Sequence, residues 1–146
     1  MTPRAHPLPA ASLFLALSLA SSCGTDYACA CSPPETPVGT YQATRLRFTP
    51  SGQATVDALA AGATITLTLL VGGTTTGTFV IPASLNNGVQ ETLDLTGTYQ
   101  VTGGHITFSH GADTFLRDLD WSWDHNTLIT TGSAGGVQFD VVLTRQ

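Results

Sequence analysis

The chain has 146 residues, of which 42% are hydrophobic, and it carries a formal net charge of −5 with no lysine. Nucleic acid is excluded as a partner, because binding to phosphates needs clustered lysine and arginine on the surface. The length suits one folded domain rather than two.

A short apolar run occupies residues 10–20, after a segment whose only charged residue is Arg4. Small residues fill positions 20–22 and Cys23 follows them. Such a run is too short to span a bilayer. This stretch resembles the end of a bacterial lipoprotein signal peptide. The resemblance implies that residues 1–22 are removed and that Cys23 receives the acyl chains that attach the protein to a membrane.

The alternative is an ordinary secretory signal that is cut near Ala20. Both alternatives export the chain. With the lipid, we expect a protein anchored in the bacterial cell envelope, on the outer membrane or facing the periplasm. Without the lipid, we expect a secreted protein. Because anionic headgroups repel an acidic chain, the acyl chains must hold it at a membrane.

Residues 23–37 predict a flexible tether, since the segment is rich in proline and small residues and has no hydrophobic periodicity. Cys29 and Cys31 lie in this tether. In an oxidising compartment two thiols indicate a disulfide or an intermolecular crosslink. A bond between residues two apart is strained, so a redox role or metal capture is a further alternative.

The folded domain begins at residue 38, where apolar and polar residues start to alternate with period two. Glycine and asparagine mark the turns between the alternating segments. This spacing predicts eight consecutive antiparallel strands. We place them at residues 38–48, 64–71, 76–82, 91–102, 105–110, 115–124, 127–132 and 137–145.

Eight such strands with one apolar face each predict an all-β fold, an up-and-down barrel that closes on itself and removes its exposed edges. A two-sheet sandwich satisfies the same alternation and is the alternative. Residues 49–62 form the one connection longer than a hairpin. Thr55 or Asp57 as a cap and Gly62 as a stop predict a short helix there, resting on the open mouth of the barrel.

Two short motifs flank the predicted barrel: Gly39-Thr40-Tyr41 at its start and Leu143-Thr144-Arg145 at its end. With the eight-strand pattern, they make residues 38–146 similar to the lipocalin-like group of the calycin barrels. The resemblance implies that Tyr41 and Arg145 stack across the closed end. It also implies a helix-bearing loop near one end, no catalysis in most members, and in some members a small apolar ligand inside. We expect the protein to be a monomer.

Bulky side chains are predicted to fill the inside of the barrel, which leaves two alternatives. In the first, the barrel binds a small hydrophobic ligand. In the second, it is a ligand-free structural or protein-interaction module, for example one that acts as an inhibitor. The residues that we expect to form the wall of a ligand site are Tyr99, Trp121, Trp123 and Phe139.

Other side chains offer weaker candidates for chemistry. Three aspartates at 118, 120 and 124 fall on one face of a predicted strand, without the glycine-centred loop of calcium sites. His105 and His110 fall on opposite faces of another strand, which disfavours zinc. No hydrolase or phosphate-loop signature is present. We therefore expect no enzyme, no cofactor and no metal.

Overall fold

Alternating apolar and polar residues form ten β-strands in the computed structural model, which describes residues 36–146. The predicted signal peptide and the candidate residues Cys23, Cys29 and Cys31 lie outside the described residues. The elements are, in chain order, Gly39–Pro50 (β1), Val56–Asp57 (β2), Thr64–Leu69 (β3), Thr74–Ile81 (β4), the 3₁₀ turn Ala83–Leu85, Glu91–Asp94 (β5), Gly97–Thr102 (β6), His105–His110 (β7), Phe115–Asp118 (α1), Trp121–Asp124 (β8), Thr127–Ala134 (β9) and Val137–Arg145 (β10).

The sheet closes because its first and last strands pair along most of their length. β1 runs antiparallel to β10 from the Tyr41–Arg145 pair to the Pro50–Val137 pair, with a bulge between Ala43 and Arg45. β5 and β6 both pair with β4 and are two halves of one barrel strand. The predicted closed, eight-stranded antiparallel barrel is therefore confirmed, and the sandwich alternative is wrong.

The break between β5 and β6 falls at Leu95 and Thr96, directly before Gly97. Asp94 holds the break, because its Oδ1 accepts hydrogen bonds from the Thr96 backbone N at 2.9 Å and from its hydroxyl at 2.7 Å. Gly97 allows β6 to approach β7 closely. A Cβ atom on Gly97 would lie 2.1 Å from the carbonyl oxygen of Ser109.

The helix that the sequence predicts within residues 49–62 is wrong. This connection contains β2, which pairs with the end of β1, followed by hydrogen-bonded turns. Two of the predicted signals do act locally: the Asp57 carboxylate accepts a hydrogen bond from the backbone N of Ala60 at 3.1 Å, and Gly62 has a φ of +98°. The turn stops early because Ala58 and Ala63 both enter the core, with only four residues between them.

A short helix, α1, instead lies after β7, inside the segment 115–124 that the sequence predicts to be one strand. Phe115–Asp118 form a single α-helical turn, and only the last four residues of the segment are strand. The turn buries Leu116 completely. As a result Asp118 lies in the helix and Asp124 lies at the end of β8, so the three aspartates do not share one face of a strand.

The core fills the inside of the barrel. It contains the inward side chains of every long strand, together with residues from the β2 and α1 connections. The fully buried side chains with the largest volumes are Trp121, Tyr41, Leu46, Ile65, Leu67, Leu69, Leu95, Ile106, Leu116, Leu128, Leu143 and Val141. Most of the barrel interior is thus packed with side chains, and space for a guest remains only where this packing ends.

The two ends of the barrel differ in their connections. One end, here called the Arg145 end, carries Thr36, the end of β10 and the turns at residues 70–73, 103–104 and 125–126. The opposite end, here called the cavity end, carries the longer connections. These run over residues 51–63, 82–90 and 111–120, and the two-residue turn 135–136 lies at the same end.

Tyr41 and Arg145 lie together at the Arg145 end. The guanidinium carbon of Arg145 is 5.8 Å from the centroid of the Tyr41 ring, and the two residues are register partners. The Tyr41 hydroxyl donates a hydrogen bond to the carbonyl of Pro37 at 2.7 Å, while Arg145 donates to the carbonyl of Thr36 at 3.2 Å. Both side chains therefore hold the segment that leads into β1. Burial raises the pKa of Tyr41, an effect that the Arg145 charge partly opposes.

Replacing this hydroxyl tests its contribution. We expect Tyr41→Phe to lower the free energy of unfolding by about 1 kcal/mol, since it removes one buried hydrogen bond and keeps the ring. Urea denaturation at neutral pH measures the change. A variant as stable as the parent protein would show that the bond to Pro37 adds nothing to stability.

Candidate functional site

An apolar cavity of about 240 Å³ lies inside the barrel at the cavity end. No charged or hydroxyl-bearing side chain belongs to its wall. The lining residues are Leu46, Phe48, Ala58, Ala63, Phe79, Ile81, Leu85, Phe115, Val137 and Phe139. Several of them are only partly buried, so the cavity wall reaches the protein surface. Such a wall suits a guest without polar groups.

Strand direction explains why these residues meet. Phe48 is near the end of β1 and Ile81 ends β4, whereas Val137 begins β10. In an up-and-down barrel the ends of some strands and the beginnings of their neighbours share one rim. The loop residues Ala58 and Ala63 then cover part of this rim, and their small side chains leave space open.

Phe115 of α1 is one of four phenylalanines in the wall. Its ring stacks on Phe139 with centroids 4.5 Å apart and meets Phe79 edge to face at 5.7 Å. The helical turn makes two polar contacts. The indole N–H of Trp121 donates to the carbonyl of Leu116 at 3.0 Å, and the Arg117 guanidinium pairs with the carboxylates on either side of it.

The four residues that the sequence nominates as the ligand wall do not meet at one site. Phe139 lines the cavity. Trp121 is fully buried and packs edge to face against Phe108, with centroids 6.0 Å apart. Tyr99 donates its hydroxyl to the carbonyl of Leu70 at 2.9 Å, and Trp123 lies near the Arg145 end. These last three residues are therefore part of the packed core or of the opposite end.

A second depression, of about 500 Å³, lies on the outer surface of the barrel. Its charged side chains are already paired: Arg47 Nε lies 3.5 Å from Asp57 Oδ2 within the depression, and Arg45 Nε lies 2.9 Å from Oδ1 of Asp140, which is outside it. These pairs are exposed, and such contacts contribute little to binding or stability. The internal cavity is the better candidate site.

His110 is a buried titratable group close to this end of the barrel. It is 6% exposed, and its ring stacks on Phe108 with centroids 5.5 Å apart. Among the described residues, neither of its ring nitrogens has a hydrogen-bond partner, and the buried hydroxyl of Thr114 has none either. Burial lowers the pKa of His110, the Arg117 charge lowers it further, and the Asp94 carboxylate acts in the opposite direction.

This burial predicts a loss of stability in mild acid. The folded state disfavours the charged form of His110, whereas the unfolded chain binds a proton near pH 6.5. The contribution is therefore complete above about pH 6.5 and declines as the pH falls toward the lower pKa of the folded state. We expect the free energy of unfolding, measured in urea, to decrease from neutral pH to pH ~5.

His110→Phe removes the titrating group and should flatten that decrease. His105→Phe is the matched control, because His105 is exposed on the outer face of the same strand. The control variant should keep the pH dependence of the parent protein. Equal pH profiles for His110→Phe and the parent would contradict the assignment of the acid sensitivity to His110.

Other candidate chemistry is not assembled in the described part of the chain. His105 points outward and His110 inward, as their spacing predicts. Within residues 36–146 there is no group of three or more histidine, cysteine, aspartate or glutamate side chains placed to hold a metal. The same residues include no helix with the length and apolar character needed to cross a bilayer.

The fold and the cavity together define a class: closed, eight-stranded antiparallel barrels with an apolar internal site at one end. Searches of protein-family models, of curated proteins and of solved structures find no significant match to this chain. Function therefore has to be argued from the cavity itself.

Proposed function

We propose that this chain is an envelope-anchored, lipocalin-like lipoprotein that binds one small apolar molecule in the cavity and catalyses no reaction. The observation that carries the proposal is the wall of the cavity, which consists of ten apolar side chains. A packed barrel without a ligand role would not need this space, because native interiors leave few voids larger than a water molecule.

The size of the cavity limits the ligand. An apolar cavity of about 150 Å³ is enough to bind benzene. By proportion, a cavity of about 240 Å³ holds a guest of about ten carbon atoms. Since the wall offers no hydrogen-bond donor or acceptor from a side chain, a polar head on such a guest has to stay outside, at the rim.

Binding is tested on the full mature chain with naphthalene, a hydrocarbon of about this size. We expect the methyl NMR signals of Leu46, Ile81 and Val137 to shift with added naphthalene. The methyl signals of Leu69 serve as an internal control, because Leu69 is buried near the Arg145 end and does not line the cavity. Unchanged signals of Leu46, Ile81 and Val137 would contradict a binding site in the cavity.

Native mass spectrometry of the protein after gentle extraction adds a second test. Retained mass that is not protein would indicate a ligand acquired in the cell. An empty barrel that captures one protein partner would favour the interaction module instead.

The anchor is tested separately from the cavity. Cys23→Ser removes the sulfur that would be acylated, so we expect this variant to leave the membrane fraction. Cys29→Ser is the matched control and should remain in that fraction. Membrane attachment that survives Cys23→Ser would overturn the anchor and leave the ligand proposal unaffected.

A further inference from the structure

Exposed apolar side chains concentrate at the Arg145 end. Among the described residues, four large hydrophobic side chains are exposed, and three of them belong to this end: Leu70, Val71 and Val101. Val71 is 84% exposed at the tip of the β3–β4 turn. The fourth, Val89, is 64% exposed at the cavity end. Single exposed hydrophobic residues are common on protein surfaces, but three at one end form a candidate contact surface.

These three residues sit on neighbouring hairpins that are held together. The backbone N of Tyr99 donates to the carbonyl of Gly73 at 2.7 Å, and the Tyr99 hydroxyl donates to the carbonyl of Leu70 at 2.9 Å. The β3–β4 turn is thereby fixed beside β6, which carries Val101. We call Leu70, Val71 and Val101 the apolar rim.

The two ends of the barrel also differ in the number of charged side chains that they carry. The connections of the cavity end and the strand residues that adjoin them carry one arginine and five carboxylates: Arg117, Asp57, Glu91, Asp113, Asp118 and Asp120. The turns and strand ends of the Arg145 end carry only Asp124 and Arg145 as fully charged side chains within the described residues. Anionic headgroups repel the first end more strongly than the second.

The segment that leads from Cys23 to the barrel also joins it at the Arg145 end. Thr36 lies at the Arg145 end, where its carbonyl accepts a hydrogen bond from Arg145. Thr36 lies thirteen positions after Cys23 in the sequence, and an extended chain covers at most about 3.6 Å per position. A lipid on Cys23 would therefore hold the domain within about 47 Å of the bilayer, with this end attached to the tether.

We propose that the apolar rim rests on the lipid bilayer and that the cavity opens away from it. This orientation rests on the anchor of the proposed function. A few valine and leucine side chains bind lipid weakly by themselves, so the contact forms only while the tether keeps the domain near the surface. The ligand would then enter from the aqueous side.

Environment-sensitive fluorophores test the orientation. Val71→Cys, Val101→Cys and Val89→Cys are each labelled with a nitrobenzoxadiazole dye in the lipidated protein, with Cys29 and Cys31 changed to serine. The protein is reconstituted in vesicles of phosphatidylcholine and phosphatidylglycerol. We expect a blue shift of the emission at positions 71 and 101, and no shift at position 89, which is the matched exposed valine of the opposite end.

A blue shift at position 89 alone, or at none of the three positions, would overturn the orientation. To separate this result from the anchor, residues 1–22 are replaced by a histidine tag, Cys23 is changed to serine, and the protein is held on nickel-chelating lipids. A shift at 71 and 101 on these vesicles supports the apolar rim even if Cys23 proves not to be acylated in cells. No shift there overturns the rim even if the anchor is correct.

Discussion

Trp121→Ala should lower the free energy of unfolding by about 3–5 kcal/mol, the usual cost of truncating a large aromatic residue in a core. Trp121 is fully buried and packs against Phe108, so its removal leaves a void that the barrel walls cannot close. The variant also loses the hydrogen bond from the indole to Leu116. Small domains are stable by only about 5–15 kcal/mol, so much of the stability is at stake.

Urea denaturation followed by circular dichroism measures this loss. Trp123→Ala is the matched control, because it removes the same side chain from the same face of β8 at a partly exposed position. We expect the control to cost less than Trp121→Ala. Equal losses in the two variants would show that burial does not set the contribution of these residues.

A substitution at Trp121 should also weaken binding in the cavity. The indole holds α1 through Leu116, and the next residue toward the N terminus, Phe115, forms part of the cavity wall. Trp121→Phe keeps a six-membered aromatic ring but removes the N–H group together with the volume of the fused five-membered ring. We expect this milder variant to retain the fold and to bind naphthalene more weakly, as measured by the titration of the cavity methyl signals.

Period-two alternation was sufficient to predict the barrel because it reports two facts at once. It marks extended backbone, and it marks which face is buried. The predicted segment 91–102 is an example. It spans β5 and β6, which together form one barrel strand beside β4 despite the break at Leu95. The turns at glycine pairs then imposed the antiparallel order.

The position of the helix could not be predicted in the same way, because local signals compete with packing. Asp57 and Gly62 act as a cap and a stop, yet Val56 pairs with Phe48 of β1 and leaves too few residues for a helix. In segment 115–124 the strand pattern places Arg117 on the apolar face. A charged residue on the apolar face of a strand indicates that the segment is not a strand. In the helical turn that forms instead, Leu116 faces inward and Arg117 pairs with neighbouring carboxylates.

Of the four predicted wall residues only Phe139 lines the cavity, and the reason is geometric. Sequence alternation identifies inward residues, but it does not tell at which end of the barrel a residue lies. The alternation therefore favours the large aromatic residues Tyr99, Trp121 and Trp123 as a ligand wall, although such residues fill space rather than leave it. Strand direction was the missing step, because it places Phe48, Ile81 and Val137 on one rim.

Ala63→Phe should abolish most of the binding capacity of the cavity. Ala63 is buried and lines the wall, so a phenyl ring on its Cβ occupies the space of the guest. Benzene needs about 150 Å³, which is more than half of the cavity. We expect the affinity for naphthalene to fall at least about tenfold, which corresponds to about 1.4 kcal/mol of binding free energy.

Ala60→Phe is the matched control, because Ala60 belongs to the same connection and is exposed. It adds the same ring outside the cavity and should leave the affinity unchanged. Overpacking typically costs about 1–3 kcal/mol, so urea denaturation of Ala63→Phe must show a folded domain under the titration conditions. If a folded Ala63→Phe protein binds naphthalene as tightly as the control, the hydrocarbon occupies another part of the molecule and the cavity is a packing defect.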